Sequence, residues 1–381
     1  MSAQTWTQLS DFPSTERDDG VGVSVGTKAF FGTGNRTGLG ISGDLYSLDL
    51  GSETWSTLAT MPSGSERQYA VCFSNGTHLF VYGGFGNGSF IHNDMYSYNI
   101  SANTWSLMGT RPSSVGVIGA SSFTLGSKAY VFCGRWGTDA QVSSQVWEYD
   151  MSTNTWTQKN DFPGTATWRG CAAVLNGTAY VSLGRNASDG LQREMYRYDQ
   201  SNDTWTKVGD FPNAKRYYVQ MQAVNNKLVM VGGIDTLNIP FAETWFFDEV
   251  NGFVQESALP SSARKGGMSI SYQNKFYYTC GWTSIGHTKQ TWKLDLPVGL
   301  KENRIEEKDL HVGPNPFSDE LIICSELKGL LYELYQTDGR ILSSGILEER
   351  STINTKGLSK GAYFLRIFSS EHSFTKKVIR N

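Results

Sequence analysis

The sequence predicts an all-β fold built from six repeated units of short strands. A large aromatic residue recurs every 48 to 51 residues, a proline follows each one seven residues later, and turn-rich stretches separate short β-prone runs. The aromatic anchors are Trp6, Trp55, Trp105, Trp156, Trp205 and Phe253. A period of about 40–50 residues with several strands per unit is typical of a propeller blade. A propeller is a platform, so this fold by itself names no reaction.

Each unit has the same internal order. A Gly pair or two small residues end its second strand, a Tyr-rich strand such as Met195–Asp199 follows, and an Asn/Ser/Thr-rich turn leads to the anchor. The Gly pair is intact at Gly83–Gly84 and at Gly232–Gly233. In this order the units resemble kelch repeats over residues 1 to about 296. Glycine lets two backbone segments approach closely where strands crowd near the axis. Trp provides a large apolar side chain that packs between blades.

The order of strands predicts how the ring closes. Thr5–Leu9 has the character of a fourth strand but precedes every first-to-third strand set, and the last set ends at Thr291–Asp295 with no fourth strand after it. The N-terminal strand should therefore complete the final blade, leaving no open edge between first and last blades. We expect a six-bladed kelch-type β-propeller over residues 1–296, closed by this strand.

Composition and charge exclude several classes of protein. The chain has 41 Gly, 13% aromatic residues, a net charge of −3 and a pI near 6.0, which suit a β protein and give no reason to invoke nucleic acid. No apolar run approaches the roughly 18 residues of a membrane helix, so no membrane span is expected. Five cysteines match neither a disulfide scaffold nor a zinc site, and small buried side chains are the expectation.

The repeat stops after Leu296. Residues 297–310 are predicted to be a charged linker, because Lys301–Leu310 carries seven charges in ten residues. Residues 311–381 alternate again without the blade pattern, which predicts a small C-terminal β-sandwich.

Four motifs in this segment are Gly313–Phe317, Tyr332–Arg340, Leu358–Arg366 and Lys376–Arg380. With them, residues 311–381 resemble the type A sorting domain of the type IX secretion system. The resemblance implies export to the surface or medium of a Gram-negative bacterium, with the secretion machinery as partner of residues 311–381. The alternative is a domain that only stabilises or spaces the propeller. Met1–Trp6 lacks the basic start and apolar core of a signal peptide, so a mature or truncated form is expected.

Catalytic families on kelch propellers include galactose oxidase and the sialic-acid mutarotases. A copper radical site needs two His, two Tyr and a Cys, but the propeller holds only His78, His92 and His287, in separate loops. The same scarcity of His, Cys and carboxylate clusters argues against zinc. We therefore expect no metal and no cofactor, and the sequence assigns no catalytic residue.

The positions of the arginines give the clearest indication of a binding surface. One set follows the anchor prolines by four to six residues, and a second set comes just after the Gly position of the second strand. The first set is Arg17, Arg67, Arg169, Arg216 and Arg264; the second is Arg36, Arg135 and Arg185; and Trp136, Trp168 and Trp282 lie beside them. In an antiparallel four-stranded blade both loop sets emerge on one face, which predicts a basic and aromatic surface around one mouth of the channel.

Such a surface would suit an anionic ligand, either an acidic glycan or an acidic protein segment. The alternative for the first set is a purely structural role, because an Arg after the Pro belongs to the kelch consensus, where it can pair with a neighbouring blade's loop. Blade 3 lacks the pattern, with Pro112–Gly116 in its place.

Three functions remain. The first, favoured because no catalytic constellation is visible, is a secreted binding platform for a glycan or protein. The second is an enzyme resembling sialic-acid mutarotase, with Glu16 and Arg17, or Glu66 and Arg67, as its candidates. The third is a structural surface protein. Ligand exchange kinetics separates the first two.

Overall fold

The structure is a computed structural model that describes residues 4–113, 115–136, 141–188, 190–296, 303–304, 310–325, 329–337, 339–368 and 372–381. The chain divides between Pro297 and Val298 into two compact units. Most of the linker predicted at 297–310 lies outside the described residues.

The first unit, as far as it is described, contains six antiparallel sheets of four strands each, together with small two- and three-stranded sheets in the loops. Sheet 1 contains Val21–Val25, Lys28–Gly32, Leu45–Asp49 and Thr54–Thr57. Sheet 2 contains Val71–Ser74, His78–Tyr82, Asp94–Asn99 and Thr104–Thr110. Sheet 3 contains Ser121–Leu125, Lys128–Phe132, Val146–Asp150 and Thr155–Lys159. Sheet 4 contains Cys171–Leu175, Thr178–Ser182, Glu194–Asp199 and Thr204–Asp210.

Sheet 5 contains Gln220–Val224, Lys227–Val231, Thr244–Asp248 and Gly252–Glu256. Sheet 6 contains Met268–Tyr272, Lys275–Thr279, Thr291–Asp295 and Thr5–Gln8. Short strands in the loops are Arg17–Asp18, Asn35–Arg36, Gly40–Ile41, Val117–Ile118, Arg135–Trp136, Arg264–Lys265, Trp282–Thr283 and Gly286–His287, and Asn87–Ser89 form a 3-10 turn.

Burial changes systematically across each sheet. Second strands are almost wholly buried, as in Lys28–Gly32, where only the lysine is exposed. They are buried because they have sheets on both faces, which explains their continuous apolar sequence rather than alternation. Fourth strands such as Thr54–Thr57 are largely exposed and polar. The first strands therefore lie innermost and the fourth strands outermost.

The six sheets form a closed succession. The first strand of each sheet lies beside the first strands of its two neighbours, and Met268–Tyr272 lies beside Val21–Val25. Ser24 Oγ donates a hydrogen bond of 3.0 Å to the Ser271 carbonyl across this junction. The chain's first strand, Thr5–Gln8, pairs antiparallel with Thr291–Asp295 and is the edge strand of sheet 6.

The aromatic anchors pack between consecutive sheets. Trp156 has its ring centroid 4.8 Å from that of Tyr149 in its own sheet and 5.0 Å from that of Tyr82 in the preceding sheet. Trp105 Nε1 donates to the Ala59 carbonyl of the preceding sheet at 2.7 Å. One amphipathic ring thus joins two sheets by contact and by hydrogen bond, which is why the residue recurs once per unit.

The second unit contains two sheets around one hydrophobic core. One sheet contains Asn303–Arg304, His372–Arg380, Gly361–Phe368, Leu331–Gln336 and Ile341–Ile346, and the other Leu310–Gly313, Glu320–Ser325 and Arg350–Asn354. Leu321 and Ile323 of the smaller sheet share this core with Leu334 and Leu365 of the larger.

The entry motif of the second unit is bonded to the chain's end. The Phe317 side chain is 1% exposed, its N–H donates to the Ile379 carbonyl at 2.8 Å, and its own carbonyl accepts from Asn381 N. Asn315 Oδ1 accepts from Ile379 N at 2.8 Å. The first and last motifs of the sequence pattern therefore form one local structure.

Candidate functional site

The loops that enter first strands pair with the loops that leave second strands. Arg17 pairs with Arg36, Ile118 with Arg135 and Lys265 with Trp282, and Trp168 forms a bridge to Arg185. Each pairing lies just before a first strand, so both predicted arginine sets occur at the same end of the central channel.

A ring of backbone hydrogen bonds surrounds this end of the channel. We call its members the mouth ring: Asp19, Tyr69, Gly119, Arg169, Tyr218 and Gly266. Each has φ between 55° and 62° and lies two residues before the start of its first strand. The N–H of each of the first five donates to the carbonyl of the preceding member at 2.6 to 3.0 Å, with Gly266 preceding Asp19.

Arg169 lies across the mouth ring. Its guanidinium carbon is 3.8 Å from the Tyr69 ring centroid and 4.0 Å from that of Tyr218, and it also stacks on Trp168 at 4.0 Å. A Cβ at Gly119 would lie 2.9 Å from Arg169 Cγ, so the glycine makes room for this side chain. Three aromatic faces around one cation fix its position.

Three further cationic side chains also contact aromatic residues. Arg135 stacks on Trp168 at 4.9 Å, and Arg185 donates to the Tyr217 hydroxyl at 3.3 Å. Lys265 lies 4.3 Å from the Tyr218 ring centroid and 5.8 Å from that of Trp282. We call this group the cationic mouth: Arg135, Arg169, Arg185 and Lys265 with Tyr69, Trp168, Tyr217, Tyr218 and Trp282.

The structure therefore brings together five of the predicted site residues. They are Arg135, Arg169, Arg185, Trp168 and Trp282. Sequence reasoning missed Lys265, although the repeat held a signal for it. The strand pairings align Lys265 with Trp168, since each is one residue before a mouth-ring member.

Four arginines of the first set occupy a different environment. Arg17, Arg67, Arg216 and Arg264 are at most 1% exposed and bond to Asp44, Asp94, Glu243 and Gln290 of their own sheets. Arg67 Nη1 lies 3.0 Å from Asp94 Oδ1, and its Nε donates to the Ser65 carbonyl at 2.8 Å. Burial lowers the pKa of Arg67, while Asp94 opposes the shift. These side chains have a structural role, but they fasten each loop to its own sheet and not to a neighbouring blade's loop.

In the third unit, the buried arginine comes from a different point in the sequence. Arg111, which precedes Pro112, is 2% exposed and stacks on Trp136 at 4.1 Å and on Trp147 at 5.1 Å. Trp136 therefore packs on a buried arginine and is not part of the cationic mouth. Arg36 donates to the Leu39 carbonyl of its own loop at 3.4 Å and also lies outside that group.

A buried acid cluster adjoins Lys265. Asp18 Oδ2 lies 2.9 Å from Lys265 Nζ, and Asp18 Oδ1 lies 3.2 Å from His287 Nε2. Asp19 Oδ2 is 3.7 Å from the same Nζ. The Asp18 and Asp19 side chains are 5% and 3% exposed. Thr37 Oγ1 lies 2.9 Å from His287 Nδ1 and orients the imidazole.

The pKa values of these two carboxyl groups are shifted in opposite directions. Burial raises the pKa of Asp19 to about 7, and the neighbouring Asp18 adds to the shift. Although burial opposes its ionisation, His287 and Lys265 hold the pKa of Asp18 below its usual value. Two adjacent carboxyls whose environments separate their pKa values are a recurring feature of acid–base sites.

A cavity of about 100 Å³ lies at the mouth ring. It is lined by Asp19, Tyr69, Arg169 and Tyr218, with the small residues that begin the first strands. Deeper cavities of about 230 Å³ and 300 Å³ are lined by the first strands of all six sheets, including Ser122, Gln220 and Gln222. Ligand pockets commonly measure 300–1,000 Å³. The mouth cavity alone therefore suits one polar substituent of a ligand.

The described residues contain no group of three or more His, Cys, Asp or Glu placed to hold a metal ion. None of the helices among them is long and apolar enough to cross a membrane.

Three family models match the chain. Residues 119–299 match the KLHDC2/KLHL20/DRC7 Kelch-repeats domain, residues 19–138 match N-acetylneuraminate epimerase, and residues 311–381 match the secretion system C-terminal sorting domain. No curated protein matches. Among the solved structures that do, one described as "Structure of YjhT" is 19% identical with a TM-score of 0.67, over 76% of this chain and 98% of that one.

Proposed function

We propose that this chain, a kelch-repeat propeller followed by a type IX secretion sorting domain, binds an anionic ligand at its cationic mouth, outside a Gram-negative cell. The favoured ligand is an acidic glycan, with an acidic protein segment as the alternative. One observation carries the proposal: Arg135, Arg169 and Lys265 are each stacked on aromatic rings at the channel end, where Arg169 lines a cavity.

The charges of the cationic mouth favour an anion. Asp18 and Asp19, whose carboxylates lie 2.9 Å and 3.7 Å from Lys265 Nζ, offset the lysine, whereas Arg135 and Arg169 make no ion pair with a carboxylate in the described part of the chain. Guanidinium groups bind carboxylates in a bidentate manner, and stacking holds them in place before the ligand arrives. Aromatic rings also offer flat apolar surface to the apolar face of a sugar. An acidic sugar uses both properties.

We also propose the detailed architecture on which this site depends: six blades over residues 1–296 closed by the N-terminal strand, a linker at 297–310, and a sorting β-sandwich at 311–381. Six four-stranded sheets, the closed succession of their first strands and the pairing of Thr5–Gln8 with Thr291–Asp295 support the propeller. The shared core of two sheets supports the sandwich.

A sialic-acid mutarotase-like activity is the second candidate function. The match of residues 19–138 to the N-acetylneuraminate epimerase model favours it, as does the acid cluster beside the cationic mouth. Glu16 and Glu66, the sequence-derived candidates for proton transfer, do not line the cavities at the channel. Arg17 and Arg67 beside them are buried.

Proton NMR of the full-length protein tests the proposal. With N-acetylneuraminate and glucuronate we expect saturation transfer from protein to ligand, at least ten-fold weaker affinity in Arg135→Ala, and little signal from neutral glucose. Loss of a charge-assisted pair corresponds to about 1.5–3 kcal/mol. Arg36→Ala is the matched control, since Arg36 lies in the corresponding loop outside the cationic mouth.

Other outcomes would change the assignment. Equal binding of glucose and glucuronate, or unchanged affinity in Arg135→Ala, would contradict an anion site at this mouth. Arg135-dependent binding of a Glu-rich peptide without any sugar signal would identify the protein segment as ligand. Accelerated exchange between sugar anomers would establish the second candidate.

A further inference from the structure

Two glutamine side chains lie in the wall of the central channel, below the mouth ring. Gln220 and Gln222 belong to the first strand of sheet 5 and line the cavity of about 230 Å³, and Gln222 also lines the cavity of about 300 Å³. The two cavities share several lining residues, so they form one elongated space along the first strands. Among the described residues no charged side chain lines either of them, whereas Asp19 and Arg169 line the mouth cavity.

The repeat does not require an amide at the position of Gln222. This residue is the fourth after its mouth-ring member, Tyr218. The residues at the same position in sheets 1, 2, 3, 4 and 6 are Val23, Phe73, Phe123, Ala173 and Ile270. All five are apolar and pack in or against the hydrophobic clusters of the propeller. An amide in such a place costs free energy unless it is hydrogen-bonded, so its presence needs an explanation.

The hydrogen bonds of Gln222 fix the orientation of its amide. Its Nε2 donates to the Ser269 carbonyl of sheet 6 at 3.0 Å and to the Ser269 hydroxyl at 3.2 Å. A carbonyl oxygen only accepts, so the amide nitrogen must face Ser269 and Oε1 must face away from it. In the described part of the chain Oε1 has no hydrogen-bond partner, and it is not buried.

The same series of hydrogen bonds orients Gln220. Because the Ser269 hydroxyl accepts from Gln222, its own hydrogen is left for Gln220 Oε1 at 3.0 Å. Gln220 Nε2 is therefore the atom that faces away from Ser269, and no described residue accepts its hydrogens. It is not buried either. The wall of the channel thus carries one fixed acceptor and one fixed donor, two residues apart on one strand.

The channel is narrowed at the mouth and more accessible at its opposite end. At the mouth, Tyr69 and Tyr218 come from opposite sides of the ring of six sheets, and their ring centroids are 6.5 Å apart with Arg169 stacked on both. At the opposite end, the turns between first and second strands contain Gly26, Gly76, Gly126 and Gly177. A Cβ at any of these four glycines would meet no atom within 4 Å. A ligand can therefore reach the two amides without passing the cationic mouth.

We propose that the channel below the mouth ring is a second binding site, which takes an uncharged acyclic polyol and recognises it through Gln220 and Gln222. One hydroxyl of the polyol donates to Gln222 Oε1, and an adjacent hydroxyl accepts from Gln220 Nε2. This site does not depend on the anion proposed for the cationic mouth.

The rest of the channel wall suits the same class of ligand. The first strand of each of the six sheets is an edge strand, so its outer backbone N–H and C=O groups are available to further hydroxyls. An uncharged wall disfavours an ion, which would lose its hydration there. An elongated space also admits an extended chain more readily than a sugar ring.

Saturation-transfer NMR of the full-length protein with sorbitol and xylitol tests this site. We expect a signal from both polyols and about five- to ten-fold weaker affinity in Gln222→Met, because methionine keeps the length of the side chain but lacks the amide. Gln255→Met is the matched control, since Gln255 is exposed on the fourth strand of the same sheet, and it should bind as the wild type does. Glucose, whose hydroxyls are held on a ring, should give little signal.

A second variant covers the case in which Gln222→Met does not fold. Gln220→Met removes the donor but leaves both bonds from Gln222 to Ser269 in place, and we expect a similar loss of affinity. A melting curve of each variant shows whether it is folded.

Three results would overturn the inference. They are the absence of saturation transfer to either polyol in the wild type, unchanged affinity in the folded glutamine variants, and loss of polyol binding in Arg135→Ala, which would place the polyol at the cationic mouth. Polyol binding that persists in Arg135→Ala while glucuronate binding is lost would establish two separate sites. Polyol binding by a protein that does not bind glucuronate at all would support this site and contradict the proposed function.

Discussion

Arg67, in a loop that enters a first strand, and Arg135, in a loop that leaves a second strand, have different neighbours. Arg67 is fully buried and bonded to Asp94, whereas Arg135 is half-buried and stacked on Trp168. The difference arises because Arg67 enters between strands of its own sheet, while Arg135 lies on the strand that faces the next unit's loop. The residue type alone therefore does not distinguish an arginine that holds its loop to the sheet from one proposed to bind a ligand. The neighbouring groups make that distinction.

Removal of Arg67 should therefore reduce stability rather than affinity. Arg67→Ala removes the donor to the Asp94 carboxylate and to the carbonyls of Ser65, Gly83 and Asp94, and we expect a loss of about 2–3 kcal/mol in the free energy of unfolding. That corresponds to a melting temperature lower by roughly 5–10 °C in calorimetry. Arg197→Ala is the control, because the Arg197–Glu249 pair is exposed and should contribute about 0–1 kcal/mol. If folded Arg67→Ala bound sugar more weakly but had an unchanged melting temperature, Arg67 would have a binding role and not a stabilising one.

The strands differ in what they contribute to the site. First strands line the channel and end at the mouth ring, second strands are buried between neighbouring sheets, and fourth strands carry the aromatic anchors. Thr5–Gln8 is the fourth strand of sheet 6 although it begins the chain. Trp6 in this strand donates to the Ser257 carbonyl of the preceding unit at 3.2 Å.

Deletion of residues 1–12 tests the importance of this strand. The deletion removes the pairing with Thr291–Asp295 and the Phe12 side chain, which packs 5.0 Å from the Tyr46 ring and 5.4 Å from Trp55. We expect the melting temperature to fall by roughly 10 °C or more, since several kcal/mol of packing is lost. As the control, deletion of residues 1–3 removes only residues that precede the strand and should leave the melting temperature unchanged. Equal melting of both deletions would show that the strand does not close the ring.

At the scale of the whole molecule, the proposed binding site and the sorting domain lie in different compact units. The cationic mouth is built only from residues of the first unit, while the sorting motifs lie in the second. A sorting domain acts as an address for the secretion machinery, so it need not touch the ligand. Recognition and export should therefore be separable by truncation.

Removal of residues 311–381 should abolish export and spare binding. In a host with type IX secretion, supplied with a signal peptide, we expect the truncated protein inside the cell envelope and the full-length protein in the medium or on the surface. Fractionation with immunoblotting measures this, and saturation transfer measures sugar binding. Arg197→Ala in the full-length chain is the control for export. Export of the truncated protein would contradict the sorting function.

The sequence by itself determined the features that depend on order and period along the chain. It predicted kelch repeats from the spacing of Trp and Pro, and the sorting domain from motifs at Gly313–Phe317 and Lys376–Arg380; the family matches confirm both. It also predicted that the two arginine sets share one face, because alternating strand directions fix where each loop emerges. The ligand role of those arginines stays a prediction.

Only the tertiary structure decided which side chains meet. Arg264 and Lys265 are adjacent in sequence, yet one is buried in its sheet and the other lies over Tyr218. Asp19 and Lys265 are separated by most of the propeller and become neighbours only when the ring closes. The physical reason is that the mouth is assembled from one turn of each unit, and its contacts depend on the left-handed backbone there. No periodicity along the chain encodes those distances.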